Sequence, residues 1–368
     1  MNRLVFSLLV ASTLANASPP PAPVDQISQA SIQTAFRVLQ RDYIRREDLT
    51  IDQLNRAALQ GLLARLSFGA EIVKQAPAAK ADQRVIAESL TSEIAYFRPA
   101  TYSTSEVALM ETKLRSLEDK GAKHAILDLR TAAAPGEFEV AASLLELFLP
   151  RGVLLFKLRQ LGSDDAQLLL SRREPIWHGT LVALVDSETN NLGETIATVL
   201  RNQKRALILG SPTKGATVRY DTVALEQGWE LRFARAEMLL PDDSSVFRKG
   251  LQPDFLIALK PETKRSIFAQ SNNGTIKPFV FEQARGRFNE AALVAGNNPE
   301  LDDYIKRSNG ETLGYDKPAP RDSVVQRAMD LIRSAEHLSH TQLRWDSKAE
   351  PSTPGTSPTI QPAQPVKP

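Results

Sequence analysis

Gly179-Thr-Leu-Val-Ala-Leu-Val-Asp-Ser-Glu-Thr-Asn-Asn-Leu-Gly-Glu-Thr-Ile-Ala197 decides the fold. Gly179 to Val185 is a nearly unbroken apolar run, long enough for a buried strand and too short for a helix. Asp186 to Gly193 is polar turn material. From Glu194 the spacing becomes helical, with Ile196, Val199 and Leu200 on one face. Arg205-Ala-Leu-Ile-Leu-Gly210 reads as a second buried strand. Strand, turn, helix and strand in this order predict a parallel βαβ unit. In open α/β sheets chemistry sits where the carboxyl end of a strand meets the amino end of a helix. The turn from Ser187 to Gly193 is therefore the first place to look for a site.

Working outward, the pattern extends in both directions. Ser92 to Phe97, Lys123 to Leu129, Arg151 to Leu158 and Ala166 to Ser171 read as strands. Ser105 to Lys120 and Phe138 to Leu149 read as helices between them. Downstream, Thr217 to Leu225 and Glu230 to Ala234 are short strands flanking a Gln227-Gly228 turn. Phe255 to Leu259 is a further apolar stretch. Pro261 to Lys317 carries helical stretches at Val280 to Ala295 and Leu301 to Arg307, and Ser323 to Ala335 is a final amphipathic helix. Upstream, Ser31 to Tyr43 and Thr50 to Leu66 are two helical patterns, expected to pack as an antiparallel pair. Thr50 with Gln53 forms a capping-box pattern.

The chain has 368 residues, 42% apolar and 24% charged, enough for one large or two ordinary domains. A formal net charge of +2 gives no case for nucleic-acid binding. There is no cysteine, which excludes disulfides, thiol chemistry and a lipid-modified amino terminus. The four histidines, His124, His178, His337 and His340, hold no convincing metal-ligand spacing, so no metal and no cofactor is expected. His124, at the entry to a strand, reads as a satisfied structural histidine. Arg3, the apolar Leu4 to Leu14 and Ala15-Asn-Ala17 form an export-signal pattern over residues 1–17, too short to span a bilayer. A periplasmic or extracellular location follows from it. Residues 346–368 are rich in Pro, Ser, Thr and Gln and are expected to be disordered.

The order of motifs resembles the carboxy-terminal processing, or tail-specific, serine proteases. Leu127-Asp-Leu-Arg130 and Leu147-Phe-Leu-Pro-Arg-Gly152 match that family, as do Gly228, Pro241 and Lys249-Gly-Leu-Gln-Pro-Asp254. The resemblance implies an α/β core of the ClpP/crotonase type over residues 84–260, built of ββα repeats around a parallel sheet. A helical segment and connector (18–83) would precede it, and a helical extension (261–345) would follow. It also implies a serine-type peptidase with a lysine base, and homodimer formation through the amino-terminal helices.

The chemistry departs from that pattern. The family's Ser-Ala-Ser-Ala-Ser-Glu falls over Thr189 to Glu194, which puts Asn191 in the place of the nucleophile. A carboxamide nitrogen is not a nucleophile under these conditions. The family's Thr-Phe-Gly-Lys-Gly falls on Gly210-Ser-Pro-Thr-Lys-Gly-Ala-Thr-Val-Arg219. Counting forward from Thr213 puts Ala216 in the lysine's place; sliding the gap keeps Lys214. Arg219 stands where a glutamine often follows. Pro135-Gly136 lies over the Gly-Gly of the oxyanion loop, and proline brings no N–H. A PDZ domain has no room ahead of the core, with only about twenty residues between Leu66 and Val85. The expectation is a degenerate relative that acts as a binding or scaffolding module for a peptide or unfolded protein segment. The alternative is a working peptidase rebuilt on Ser187 or Thr189 with Lys214.

Overall fold

The computed structural model describes residues 26–75, 84–131, 136–162, 165–272, 274–281, 298–310 and 320–340. The export-signal pattern, Pro135, most of the connector and of the 280–295 helical stretch, and the Pro-rich tail lie outside the described residues. The chain divides into two compact units, Met1–Ser67 and Phe68–Pro368.

The first unit holds α1 (Gln29–Asp42) and α2 (Ile51–Leu66). Ser28 caps α1, and Thr50 with Gln53 forms the predicted capping box on α2. Neither helix holds a buried residue.

The second unit is built on a six-stranded sheet. In chain order its strands are β2 (Val85–Ser89), β3 (Ile94–Pro99), β4 (His124–Asp128), β7 (Thr180–Val185), β8 (Leu207–Gly210) and β11 (Phe255–Leu256). Across the sheet they run β11-β8-β7-β4-β3-β2. All neighbours are parallel except β2 and β3. The parallel register follows from the crossovers: α3 (Thr104–Asp119) joins β3 to β4, and α5 (Asn191–Asn202) joins β7 to β8. Strands buried on both faces explain the unbroken apolar runs. Alternate residues face opposite ways. Ala95, Phe97, Ala125, Leu127, Ala183 and Val185 meet α3, α4 (Phe138–Leu145) and α5. Ile94, Tyr96, Ile126, Val182 and Leu184 meet α6 (Pro261–Ser271), α7 (Lys277–Val280) and the last helix, α9 (Ser323–His340). The helix α8 (Pro299–Ser308) precedes α9 in sequence.

A second, antiparallel sheet holds β1 (Ala70–Lys74), β5 (Leu154–Gln160), β6 (Gln167–Leu170), β9 (Val218–Ala224) and β10 (Trp229–Leu239). Its order is β1-β10-β5-β6, with β9 on the other side of β10. The Gln227-Gly228 turn between β9 and β10 has both residues at positive φ, 57° and 74°. Residues 70–74, read from sequence as part of the amino-terminal segment, instead pair with β10. Residues 85–89 pair with β3. Both are short edge strands whose alternation is too brief to stand out. The α6 helix was also not foreseen; its Pro261 sits in the first turn, where proline's missing N–H is tolerated. His124 differs from expectation as well. Both its ring nitrogens are buried without a hydrogen bond, and Nε2 lies 3.7 Å from the Glu336 carboxylate.

Candidate active site

β7 ends at Val185, and the turn that follows is tied by its own side chains. Asp186 Oδ1 accepts from the N–H groups of Glu188 (2.9 Å) and Thr189 (3.1 Å). Thr189 Oγ1 accepts from Asp186 N–H at 2.9 Å and donates to the Leu129 carbonyl at 3.1 Å. Thr189 is fully buried, so its hydroxyl is spent on holding the turn against β4.

α5 starts at Asn191, three residues before the predicted Glu194. The sequence Asn-Leu-Gly is weak in helix propensity, and tertiary contacts override it. Thr195 Oγ1 donates to the Asn191 carbonyl at 2.9 Å. Gly193 is required by packing: a Cβ there would sit 2.7 Å from Tyr102 Oη. Asn191 itself has φ +42°, a left-handed geometry that asparagine tolerates better than most residues.

The Asn191 side chain is 2% exposed and its carboxamide is bonded at both ends. Nδ2 donates to the carbonyls of Val218 (2.7 Å) and Ala216 (3.3 Å). Oδ1 accepts from the Gly136 N–H at 3.3 Å. A single amide therefore links the helix start, Gly136 and the entry to β9. The Gly136 N–H, which the resemblance placed in the oxyanion loop, is occupied by the chain's own amide oxygen. Pro135 lies outside the described residues.

Opposite the helix, the 213–216 loop is clamped by Glu194. Its carboxylate is fully buried and accepts from Thr213 Oγ1, Gly215 N–H (2.7 Å) and Ala216 N–H (2.8 Å). Burial pushes this carboxyl up from its ordinary value, against the opposing pull of those donors. Gly250 closes the clamp from behind. It has φ +74°, and a Cβ on it would lie 2.3 Å from the Thr213 carbonyl. Leu251 N–H reaches Thr213 Oγ1 at 2.7 Å, and Asp254 takes Ile208 N–H (2.9 Å) and Arg201 Nε (2.7 Å). The Lys249-Gly-Leu-Gln-Pro-Asp254 motif thus fixes the loop that faces α5.

The candidate base positions separate. Ala216 is buried against Glu194 and carries no titratable group. Lys214 is exposed, its ammonium 4.9 Å from the centre of the Phe68 ring, and only its backbone N–H reaches the turn, at Thr189 O (3.1 Å). Ser187 is exposed. Among the described residues no hydrogen bond joins Lys214 Nζ to Ser187 or Thr189. Arg219 Nη2 lies 3.4 Å from Glu139 Oε1, which also accepts from Gln167 Nε2 at 3.2 Å.

Two contributors were not found from sequence. Glu194 reads from sequence only as the start of the helical spacing, although its place at the end of the Thr189–Glu194 stretch is a signal. Lys264 carried no signal at all. It is 3% exposed and comes from α6, yet its ammonium reaches Asp186 Oδ2 (2.7 Å), Glu188 Oε2 (2.6 Å) and the Arg130 carbonyl (2.9 Å). Arg130 in turn is buried between Asp128 (2.6 Å) and Asp322 (2.8 Å), which ties β4 to the start of α9. Among the described residues no group of three or more His, Asp or Glu side chains could hold a metal ion.

Residues 93–257 match the model of peptidase family S41. This stretch is similar to peptidase family S41. Curated relatives include the carboxyl-terminal-processing protease of Synechocystis sp., 24% identical over 164 residues, covering 45% of this chain and 38% of that protein. The carboxy-terminal processing protease CtpA of Bacillus subtilis is 23% identical over 171 residues, covering 46% and 36%. The chain spans little more than a third of the length of these relatives. Among solved structures, the photosystem II D1 C-terminal processing protease is 22% identical, with a TM-score of 0.39 over 51% of this chain and 48% of that one. A peptidase from Parabacteroides merdae gives 14% identity and a TM-score of 0.49 over 65% and 85%. The matched stretch has the expected α/β architecture, with the Asn191 turn at the carboxyl end of β7. No described helix is long and apolar enough to cross a membrane.

Proposed function

We propose that this chain is an exported S41-domain protein that no longer performs acyl transfer and uses the domain to bind an extended peptide or unfolded segment. One observation carries the reading. The residue in the nucleophile's place is a buried carboxamide hydrogen-bonded to Gly136 N–H and to the carbonyls of Ala216 and Val218. The Gly136 N–H that a tetrahedral adduct would call on is taken. Loss of a nucleophile alone lowers a triad enzyme about 10⁶-fold. Export rests on the residue 1–17 pattern, and is tested by sequencing the amino terminus of cell-derived protein, which should begin near Ser18.

Binding needs backbone groups and side-chain pockets but no nucleophile. Among the described residues β6 pairs on one side, with β5, and Leu168 and Leu170 on it are exposed. Its first residue, Gln167, is joined through Glu139 to Arg219 at the entry to β9, where Asn191 anchors. An extended segment added to the β6 edge would run past the filled site. The relatives' names, which describe carboxyl-terminal processing, favour a peptide or protein partner.

The test is incubation of the full chain with unfolded protein, fluorogenic peptides and a serine-directed acylating probe. No hydrolysis above background and no labelling are expected. Robust hydrolysis that disappears in Ser187→Ala, Thr189→Ala or Lys214→Ala would overturn the proposal in favour of a rebuilt site.

A further inference from the structure

On the face of the sheet away from Asn191, a cavity of about 250 Å³ lies between the end of β3 and α6. Arg84, Arg98, Thr101, Thr131, Phe268 and Asn272 are on its wall. The wall carries two guanidinium groups and, among the described residues, no carboxylate. Arg98 is 3% exposed. Its guanidinium stacks on Phe268, 3.9 Å from the ring centre, and Nη2 donates to Ser271 Oγ and Asn272 Oδ1, both at 3.0 Å. Among the described residues Nη1 has no hydrogen-bond partner. Thr101 Oγ1, on the same wall, is buried and also without one. Buried polar atoms are nearly always paired, and an orphan calls for a missing water or ion. Two orphan donors on one small cavity, one of them cationic, point the same way.

The neighbouring acids do not supply the missing acceptor. Glu106 turns its oxygens to the backbone N–H groups of Arg84, Ala100, Thr101 and Ser103. Asp128 and Asp322 both grip Arg130, and Asp128 adds Tyr96 Oη at 2.7 Å. Arg98 feels Asp128 only through space. Arg84 Nη1 donates to the Asn272 carbonyl at 2.6 Å, which keeps its charge beside the cavity. A guanidinium edge next to a hydroxyl is the donor set that carboxylates and phosphates take. The volume exceeds a single ion, since a water occupies about 30 Å³.

We infer that the Arg98–Thr101 cavity is a binding site for a small oxyanion, a carboxylate or a phosphate. Thr131 borders it on the side of β4.

The inference is tested by titrating the full chain with inorganic phosphate, acetate and citrate, with ionic strength held constant by sodium chloride. Calorimetry and melting temperature are the readouts. Saturable one-site binding, roughly millimolar or tighter, is expected for at least one anion. Which anion gives the larger heat distinguishes a phosphate site from a carboxylate site. Arg98→Gln and Thr101→Val should each weaken it about tenfold or more, with the Thr101 variant keeping both guanidinium groups and therefore deciding the case if Arg98→Gln fails to fold. Absence of saturable binding to all three anions, or binding unchanged in Thr101→Val, would overturn the inference.

Discussion

Replacing Asn191 with serine restores the nucleophile's hydroxyl to the turn, yet this substitution should lower stability and yield no activity. The side chain makes three hydrogen bonds, at 2.7, 3.3 and 3.3 Å, the first two of them fully buried. A serine hydroxyl is too short to span from Gly136 N–H to Val218 O and can replace one of them at most. Each net loss contributes about 0.5–1.5 kcal/mol, and more where the stranded group stays dry. Holding a serine at φ +42° instead of an asparagine adds a few tenths to about 1 kcal/mol. Together these give a destabilisation of about 2–4 kcal/mol. For a domain of this size the melting temperature should drop on the order of 5–10 °C. Thermal and urea unfolding of wild type, Asn191→Ser and Asn191→Gly measure it. The glycine variant relieves the backbone geometry while losing all three bonds, so it separates the two contributions. Activity stays at background in Asn191→Ser, because Ala216 supplies no base and Lys214 points at Phe68. An unchanged melting temperature would show that the carboxamide contacts contribute nothing. Peptide hydrolysis by Asn191→Ser would show that a base reaches the turn after all.

Asp322→Ala should destabilise by about 3–5 kcal/mol in urea titrations, because it leaves Arg130 half-paired in the core and also removes the acceptor for Val324 and Val325 N–H at the start of α9. Asp128 should make the fold acid-sensitive: burial pushes its carboxyl up, but the Arg130 charge and hydrogen bonds outweigh burial and hold it below the usual range. A depressed folded pKa stabilises fully above the unfolded value of about 3.9 and loses that contribution as pH falls through the folded one, so unfolding by pH should steepen below about pH 4 and flatten in Asp128→Asn. Gly193→Ala, whose Cβ would meet Tyr102 Oη at 2.7 Å, should cost about 1–3 kcal/mol in the same titrations. Light scattering should find a homodimer that Phe36→Glu with Leu62→Glu converts to a monomer, since both side chains stand about half exposed on α1 and α2.

The central sheet was legible because buried parallel strands leave a strong mark. Gly179 to Val185, Lys123 to Leu129 and Arg205 to Gly210 have apolar residues on both faces, and each became a strand within about two residues. The edge strands β1 and β2 were missed for the converse reason. Val85 and Ala70 are the buried residues in them, and a five-residue strand with one buried side chain has no period to read. α6 was hidden by composition, with Lys264 and Ser271 among its buried residues where an amphipathic stripe would show only apolar ones.

The site divides along the same physical line. Residue identity at Asn191, Ala216 and Lys214 could be weighed from sequence, because a missing nucleophile or base is a property of the side chain alone. Where those side chains point could not, because orientation depends on partners far away in the chain. Asn191 is held by Gly136, Ala216 and Val218; Glu194 by Thr213 to Ala216; Lys264 crosses from α6 to Asp186 and Glu188. Gly136 N–H is bonded to Asn191 and the Lys214 ammonium lies beside Phe68, the two contacts on which the proposed loss of acyl transfer rests. Glu194 and the Lys249 to Asp254 motif hold the 213–216 loop in place. Residues that hold a loop and residues that would react are different sets. That separation is why the family motifs remain readable in a chain whose turn carries an asparagine, and why an acylating probe, rather than a further motif, is the measurement that bears on its chemistry.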